Sequence, residues 1–147
     1  MFSKRNILLA IILIVVAAGI YAYKEFSRTS TNISEESSAF SLSADELIKE
    51  FTLSDSLATS KFVGKIITVS GLVKRIDQDA KELYTISLGD SAGMSSIRCS
   101  IDSIYSATAA SLKPGMKVEV KGNCTGYYED ELLGTDIILN RCYILDH

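Results

Sequence analysis

The chain has 147 residues, of which 15 are basic and 18 are acidic, and its only histidine is the last residue. That length suits one domain. The net charge of −3 argues against a surface built for nonspecific phosphate binding, and a single terminal histidine leaves little scope for nucleophilic catalysis. We therefore expect neither an enzyme nor a bound cofactor.

The first feature along the chain is an uncharged apolar run of 17 residues from Ile7 to Tyr23. Lys4 and Arg5 precede it, and Lys24 follows it. As a helix the run would rise about 25 Å, which is the short end of what spans a bilayer. A buried core helix is not indicated, because no face of the run is polar.

Two interpretations of this run remain. A retained signal anchor makes residues 1–6 a cytoplasmic basic tail and residues 7–23 a transmembrane helix. A cleaved signal peptide is the alternative, since Val16-Ala17-Ala18 before Gly19 would serve as a cleavage site. The positive-inside rule places the rest of the chain outside the cytoplasm, on the periplasmic side, as a single-pass membrane protein if the helix is retained.

Residues 24–42 are rich in Ser, Thr and Glu, which predicts a flexible linker. Residues 34–147 contain 11 basic and 17 acidic residues, a net charge of −6. Nucleic acid is therefore an unlikely partner of this part of the chain.

A domain is predicted over residues 43–147, and it begins with a capping box. Ser43 and Glu46 have the spacing at which each side chain bonds the other residue's backbone N–H. Leu47 and Phe51 follow at helical spacing, and the stripe is expected to pack on the rest of the domain. Polar residues between Thr52 and Asp55 interrupt the stripe, so two short helices could replace one.

Five strand candidates follow, each alternating between apolar and polar residues: Lys65–Ile76, Leu83–Leu88, Ser96–Ile101, Lys117–Thr125 and Gly134–Ile144. Gly71 suggests a bulge or a sharp bend in the first of them. Asp102 could cap a helix that runs to Leu112 and ends at Pro114-Gly115. A sheet of this length must close to avoid exposed edges, and a five-stranded barrel is the natural solution.

Several short motifs, in this order, resemble a known family: Ala44-Asp45-Glu46-Leu47, Lys61-Phe62-Val63-Gly64-Lys65, Ile67-Thr68-Val69-Ser70-Gly71-Leu72-Val73, Ile97-Arg98-Cys99, Lys113-Pro114-Gly115, Val118-Glu119-Val120-Lys121-Gly122-Asn123-Cys124 and Leu139-Asn140-Arg141-Cys142. The stretch from Ser43 to Cys142 resembles the tRNA_anti-like family of bacterial exported OB-fold proteins. The resemblance implies an all-β fold with helical additions. The fold that it implies is a five-stranded OB barrel with an N-terminal helix packed on it and a helix between strands 3 and 4, preceded by one transmembrane helix. The family name reflects similarity of fold to an anticodon-binding domain.

An OB barrel binds ligands across its second and third strands and the loops beside them. In this chain these elements offer six candidate ligand-binding residues: Lys74, Arg75, Tyr84, Arg98, Tyr127 and Tyr128. Cations interleaved with aromatics could neutralise phosphates and stack on bases. Ordinary packing and solvated strand ends would explain the same residues, and Glu129, Asp130 and Glu131 in the adjoining loop oppose an anionic ligand there.

The three cysteines, Cys99, Cys124 and Cys142, all lie in the part predicted to be exported. One pair among them could form a disulfide in an oxidising compartment, and the sequence does not choose the pair. They are 25 and 18 residues apart without a close pair, so no metal site is expected.

The sequence predicts a membrane-anchored extracytoplasmic OB-fold domain that acts as a noncatalytic binding module. Its partner would be an envelope protein, a glycan or a small ligand. Binding of single-stranded nucleic acid, in the manner of an anticodon-binding domain, is the alternative function.

Overall fold

The computed structural model describes residues 4–27, residue 33 and residues 35–146. The chain divides into two compact units, Met1–Asn32 and Ile33–His147. Residues 1–3, residues 28–32, residue 34 and His147 lie outside the described part, together with the side chains of residues 4, 5, 25–27 and 146. Parts of the predicted cytoplasmic tail and of the predicted linker's first half therefore lie outside it.

The N-terminal unit contains one helix, α1, from Lys4 to Ser27. Its 24 residues rise about 36 Å. The segment Asn6–Lys24 has a mean hydropathy of 2.4 and none of it is buried. It is long and apolar enough to cross a membrane, a property that it shares with signal sequences. The predicted span of residues 7–23 lies within it.

The second unit is built from six strands and three α-helices: β1 (Phe40–Ser43), α2 (Ala44–Leu53), α3 (Asp55–Phe62), β2 (Ile66–Gln78), β3 (Tyr84–Leu88), β4 (Ser96–Ile101), α4 (Ser106–Ser111), β5 (Lys117–Asp130) and β6 (Gly134–Asp146). A short 3-10 helix, Ser103–Tyr105, precedes α4.

Five of the strands close into a barrel in the order β2-β3-β4-β6-β5, with β5 paired back to β2. All pairs are antiparallel except β4 and β6, which run parallel. The helix α4 lies between the third and fourth barrel strands in the chain. This arrangement confirms the expected OB fold. The strand β1 adds to the barrel by pairing in parallel with the first half of β2.

The capping box, the helix interruption and the Pro-Gly turn predicted from the sequence are all confirmed. Ser43 Oγ accepts a 3.2 Å hydrogen bond from the Glu46 N–H, and Glu46 Oε2 accepts one of 2.9 Å from the Ser43 N–H. The predicted interruption falls at Ser54, between α2 and α3. After α4 the chain turns at Pro114-Gly115, where Gly115 takes a φ of +91° and donates to the Val73 carbonyl.

Alternating apolar residues fill the barrel interior. Ile67, Val69, Ile86, Ile97 and Val120 are fully buried there. Leu47 and Phe51 of α2 and Phe62 of α3 belong to the same core, so the two helices pack on the barrel through the stripe that the sequence predicted.

Three details differ from the sequence prediction. Phe40–Leu42 form most of β1 instead of the end of a linker, because pairing with β2 supplies hydrogen bonds that four residues alone do not signal. Residues 128–130 belong to β5, and not to an acidic loop. Of the bulge or sharp bend predicted at Gly71, the bulge is absent, since the pairing of β2 with β5 is regular there. A Cβ at Gly71 would lie 2.8 Å from the Ala44 Cβ, so this glycine allows α2 to approach the barrel.

Candidate ligand-binding face

The pairing of β2, β3 and β4 determines which side chains lie side by side on the outer face of this sheet. Arg75 of β2 pairs with Ser87 of β3, which pairs in turn with Arg98 of β4. Paired residues point to the same side of a sheet, so the two arginines lie on one face, on either side of Ser87. The residues before and after Arg98, Ile97 and Cys99, are fully buried, which fixes Arg98 outward.

A bulge in β2 adds a second cation beside Arg75. Between Val73 and Arg75 the strand advances two residues while β3 advances one, from Leu88 to Ser87. The additional residue is Lys74. A β-bulge interrupts the alternation of side chains, and therefore the neighbouring Lys74 and Arg75 can line the same cavity.

The cavity has a volume of about 580 Å³ and opens onto solvent. Its walls are cationic, hydroxylic, carboxylate and apolar groups from β2, β3, β4, the β3–β4 loop, the β5–β6 turn and the start of β6: Lys74, Arg75, Ser87, Ser91, Met94, Ser96, Arg98, Leu133 and Asp136. Half of the six predicted ligand-binding residues meet there, although they come from two strands separated by about twenty residues.

The three cations of the cavity differ in their bonding. Lys74 Nζ donates to the carbonyl oxygens of Gly93 at 2.5 Å and Ser95 at 3.4 Å. Arg75 Nε forms an ion pair with Asp77 Oδ2 at 2.7 Å. Both side chains are exposed, so this pair contributes little to the stability of the domain. Within residues 35–146, Arg98 has no carboxylate partner, so its charge is available to a ligand.

One carboxylate lies beside these cations. The Ser96 hydroxyl donates a 2.6 Å hydrogen bond to Asp136 Oδ1. This bond joins β4 to β6 at the point where the two strands begin their parallel pairing. Asp136 therefore adds a negative charge to the lining of the cavity, opposite in sign to the arginines.

The predicted tyrosines do not gather at this cavity. Tyr84 lines a separate cavity of about 480 Å³ beside α4. Tyr127 packs on Phe51 with ring centroids 5.3 Å apart, and its hydroxyl donates to Asp55. Tyr128 is 59% exposed and pairs across strands with Asp136, so it lies on the cavity side of the sheet, without lining the cavity.

Sequence reasoning missed the hydroxyl, carboxylate and apolar parts of the cavity: Ser87, Ser91, Met94, Ser96, Leu133 and Asp136. Ser87 and Ser96 carry a recognisable signal, since each is a polar residue within an apolar strand. Met94 and Leu133, which are 71% and 70% exposed, come from two loops whose proximity depends on the fold.

No metal centre is indicated for the described part of the chain, where no three His, Cys, Asp or Glu side chains are close enough to share an ion. The three cysteines, among which the sequence left a disulfide open, are buried in the barrel interior as free thiols, and none of them lines the cavity.

The chain matches a known protein family in sequence and is similar to solved OB-fold structures. The model of the tRNA_anti-like family matches residues 1–142. A lipoprotein of Klebsiella pneumoniae, to which nucleic-acid binding has been attributed, has a TM-score of 0.56 at 17% identity, over 71% of this chain and 91% of that protein. The asparaginyl-tRNA synthetase of Entamoeba histolytica has a TM-score of 0.41 at 18% identity, over 57% of this chain and 21% of the enzyme. No curated protein matches the chain.

Proposed function

Because the chain belongs to the tRNA_anti-like family, we propose that it is a noncatalytic OB-fold binding module that takes an anionic ligand in the cavity on the β2-β3-β4 face. The observation that carries this proposal is the grouping of Lys74, Arg75 and Arg98 around one cavity. A cationic side chain without a carboxylate partner, such as Arg98, gains a charge-assisted hydrogen bond when an anion binds.

The module is held at a membrane by α1, and its OB-fold domain lies on the extracytoplasmic side. The apolar segment Asn6–Lys24 supports the anchor, and the basic residues Lys4 and Arg5 before it support this orientation. Its partner is an envelope protein, a glycan or a small ligand. The sequence holds a single histidine, and Ser96 donates its hydroxyl directly to Asp136; both support a noncatalytic role, since a serine nucleophile is ordinarily activated by a histidine base.

A capture experiment tests the ligand site. The full-length chain, purified in detergent and immobilised, is incubated with envelope extract, and the bound components are quantified by mass spectrometry. The double variant Arg75→Ala/Arg98→Ala is expected to recover at least about tenfold less of a specific component than the wild type, because each arginine would contribute a charge-assisted hydrogen bond.

The matched control is Lys49→Ala/Lys113→Ala, which removes two exposed cations elsewhere and leaves the same net charge. Equal recovery by both double variants would show that the cavity does not bind the component. Thermal unfolding of each variant verifies that the fold is retained.

Single-stranded nucleic acid is the second candidate ligand. The cations of the cavity, the exposed Tyr128 beside it and the binding attributed to the Klebsiella lipoprotein favour it. The net charge of −6 over residues 34–147 and the carboxylate of Asp136 oppose it.

Fluorescence anisotropy with labelled oligonucleotides over a salt series separates the two candidates. A nucleic-acid site predicts affinity that falls with salt, and Arg98→Ala should lower the salt slope by about 0.7 if the arginine contacts one phosphate. Tyr128→Ala should weaken binding if the ring stacks on a base. Absence of binding at low salt would eliminate this candidate.

A further inference from the structure

The cavity on the β2-β3-β4 face is larger than a bare anion requires, and part of its wall is apolar. Its volume of about 580 Å³ lies within the range of about 300–1,000 Å³ that is usual for small-molecule sites. The cations Lys74, Arg75 and Arg98 share the lining with Met94 and Leu133. An inorganic anion held by the cations would leave these two apolar side chains in water, so the lining fits a ligand that also has an apolar part.

The two apolar side chains come from loops that adjoin each other. Met94 lies in the β3–β4 loop and Leu133 in the β5–β6 turn. The Ser95 hydroxyl accepts a 3.0 Å hydrogen bond from the Thr135 N–H, which links the two segments. Gly134 packs so closely on the β3–β4 loop that a Cβ there would lie 3.0 Å from the Met94 Cβ. The apolar part of the wall is therefore continuous from one loop to the other.

Hydrogen bonds hold the backbone of both loops in place. Lys74 Nζ donates to the carbonyl oxygens of the residues on either side of Met94, so a cation of the cavity also positions its apolar wall. In the β5–β6 turn, Asp130 Oδ1 accepts a 3.0 Å hydrogen bond from the Leu133 N–H. Loops that are already ordered lose little conformational entropy when a ligand binds, which favours binding.

Carboxylates in and beside the cavity limit the number of negative charges that a ligand can carry. Asp136 belongs to the lining, where its Oδ1 accepts the Ser96 hydroxyl at 2.6 Å. Glu129 and Glu131 are exposed near the turn that carries Leu133. A second anionic group close to any of these carboxylates would be repelled. The surroundings of the cavity therefore favour a ligand with one anionic group over a polyanion.

We propose that the ligand of this cavity is a small anionic amphiphile, whose one anionic group binds Arg75 and Arg98 and whose apolar group packs on Met94 and Leu133. This inference rests on the proposed function, because it assigns a chemical class to the ligand of that same cavity. The arginines supply charge-assisted hydrogen bonds. The apolar side chains supply the preference for a ligand with a hydrocarbon group, because contact with that group removes their surface from water.

A series of alkyl phosphates tests the proposal. The full-length chain in phosphatidylcholine nanodiscs is titrated calorimetrically with inorganic phosphate and with methyl, butyl and hexyl phosphate, and empty nanodiscs supply the blank. The titrations are made at about pH 8, where the monoesters carry nearly the same charge. A methylene group that becomes fully buried strengthens binding about fourfold, and one that becomes half buried about twofold. Hexyl phosphate should therefore bind roughly thirtyfold more tightly than methyl phosphate.

Matched variants locate the effect. Met94→Ser/Leu133→Ser should lower the ratio of the two affinities to about fivefold or less, since it removes the apolar wall. The control Leu53→Ser/Leu57→Ser removes two similarly exposed leucines that do not line the cavity, and it should keep the wild-type ratio. Arg98→Ala should weaken the binding of methyl and hexyl phosphate by the same factor of about tenfold, because the arginine would act on the phosphate group alone.

Native mass spectrometry distinguishes the two sources of such a ligand, a membrane lipid and a dissolved amphiphile. The full-length chain in detergent is incubated with dioleoyl phosphatidic acid, and dioleoyl phosphatidylcholine is the control for lipid that binds α1. A phosphatidic acid adduct that Arg98→Ala weakens would identify a lipid. Binding of hexyl phosphate without such an adduct would identify a dissolved amphiphile, and either result agrees with the proposal.

Two results would overturn this inference and leave the proposed anion site intact. One is equal affinity for methyl and hexyl phosphate, and the other is a wild-type affinity ratio in Met94→Ser/Leu133→Ser. Absence of binding by every phosphate of the series would instead contradict the proposed function, and this inference with it. Thermal unfolding of each variant verifies that the fold is retained.

Discussion

The Tyr127 hydroxyl donates a 2.7 Å hydrogen bond to Asp55 Oδ2, which joins β5 to the first turn of α3. This contact lowers the pKa of Asp55 and raises that of Tyr127, because the bond favours the carboxylate and the neutral phenol. With its ring on Phe51, Tyr127 attaches the helical part of the domain to the barrel. Its ring and its hydroxyl are therefore both engaged in contacts within the domain.

Tyr127→Phe should keep the ring contact and raise the pKa of the Asp55 carboxyl toward its ordinary value. Titration of that carboxyl by NMR measures the change, and Tyr128→Phe is the control, since that hydroxyl has no part in the bond. A pKa that stays low in Tyr127→Phe would assign the shift to Ser56, whose N–H and hydroxyl also donate to Asp55.

The stabilising effect of this pair should also depend on pH. Asp55 contributes to the stability of the folded domain above the pKa that its carboxyl has in the unfolded chain. That contribution is lost as pH falls through the lowered pKa of the folded state. The Tyr127 contribution is present below the phenol's unfolded pKa and is lost as pH rises through its raised folded pKa. The difference in Tm between wild type and Tyr127→Phe should therefore be largest between these limits, about pH 4 to 10.

Ser43→Ala should destabilise the domain by about 1 kcal/mol, because it removes the side chain that caps α2. The Ser43 backbone N–H and hydroxyl lower the pKa of Glu46, so that carboxylate's contribution is lost as pH falls through its lowered pKa. Denaturant unfolding at pH 7 measures the change. Ser41→Ala in β1 is the control, and an equal effect there would argue against capping.

Gly71→Ala should destabilise the domain by about 1–3 kcal/mol, since the new methyl group would press on Ala44 where α2 approaches β2. Gly93→Ala is the matched control, because a methyl group there meets its neighbours at ordinary distances of 3.5 Å or more. Chemical denaturation compares the two variants. Equal stability would mean that α2 can shift without loss.

Gly122→Ala should also be destabilising by about 1–3 kcal/mol, because the added methyl group overlaps the Cys142 Sγ. Under reducing conditions, Cys142→Ala in the same chain should recover part of this loss by removing the sulfur. The coupling energy from the double-mutant cycle should therefore be favourable, within about 0.5–3 kcal/mol. Purely additive effects would indicate that the sulfur moves aside.

Local patterns determined much of this protein from sequence. The alternation through Ile67 and Val69, the capping box at Ser43 and the turn at Pro114-Gly115 each act within a few residues, and all were predicted correctly. Such features depend on the 2.0 and 3.6 residue periods and on glycine's backbone freedom, which neighbouring residues specify. The barrel followed from their order along the chain.

Tertiary structure alone decided where chemistry-bearing side chains meet. A bulge before Arg75 places Lys74 in the cavity, and a register shift near Arg141 turns Cys142 into the core. Tyr84, from the same predicted set, lies in another cavity. The sequence determined the strands and their inner faces because periodicity is local. It left the cavity and the burial of Cys142 undetermined because registers and bulges are fixed by hydrogen bonding between strands that lie far apart in the chain.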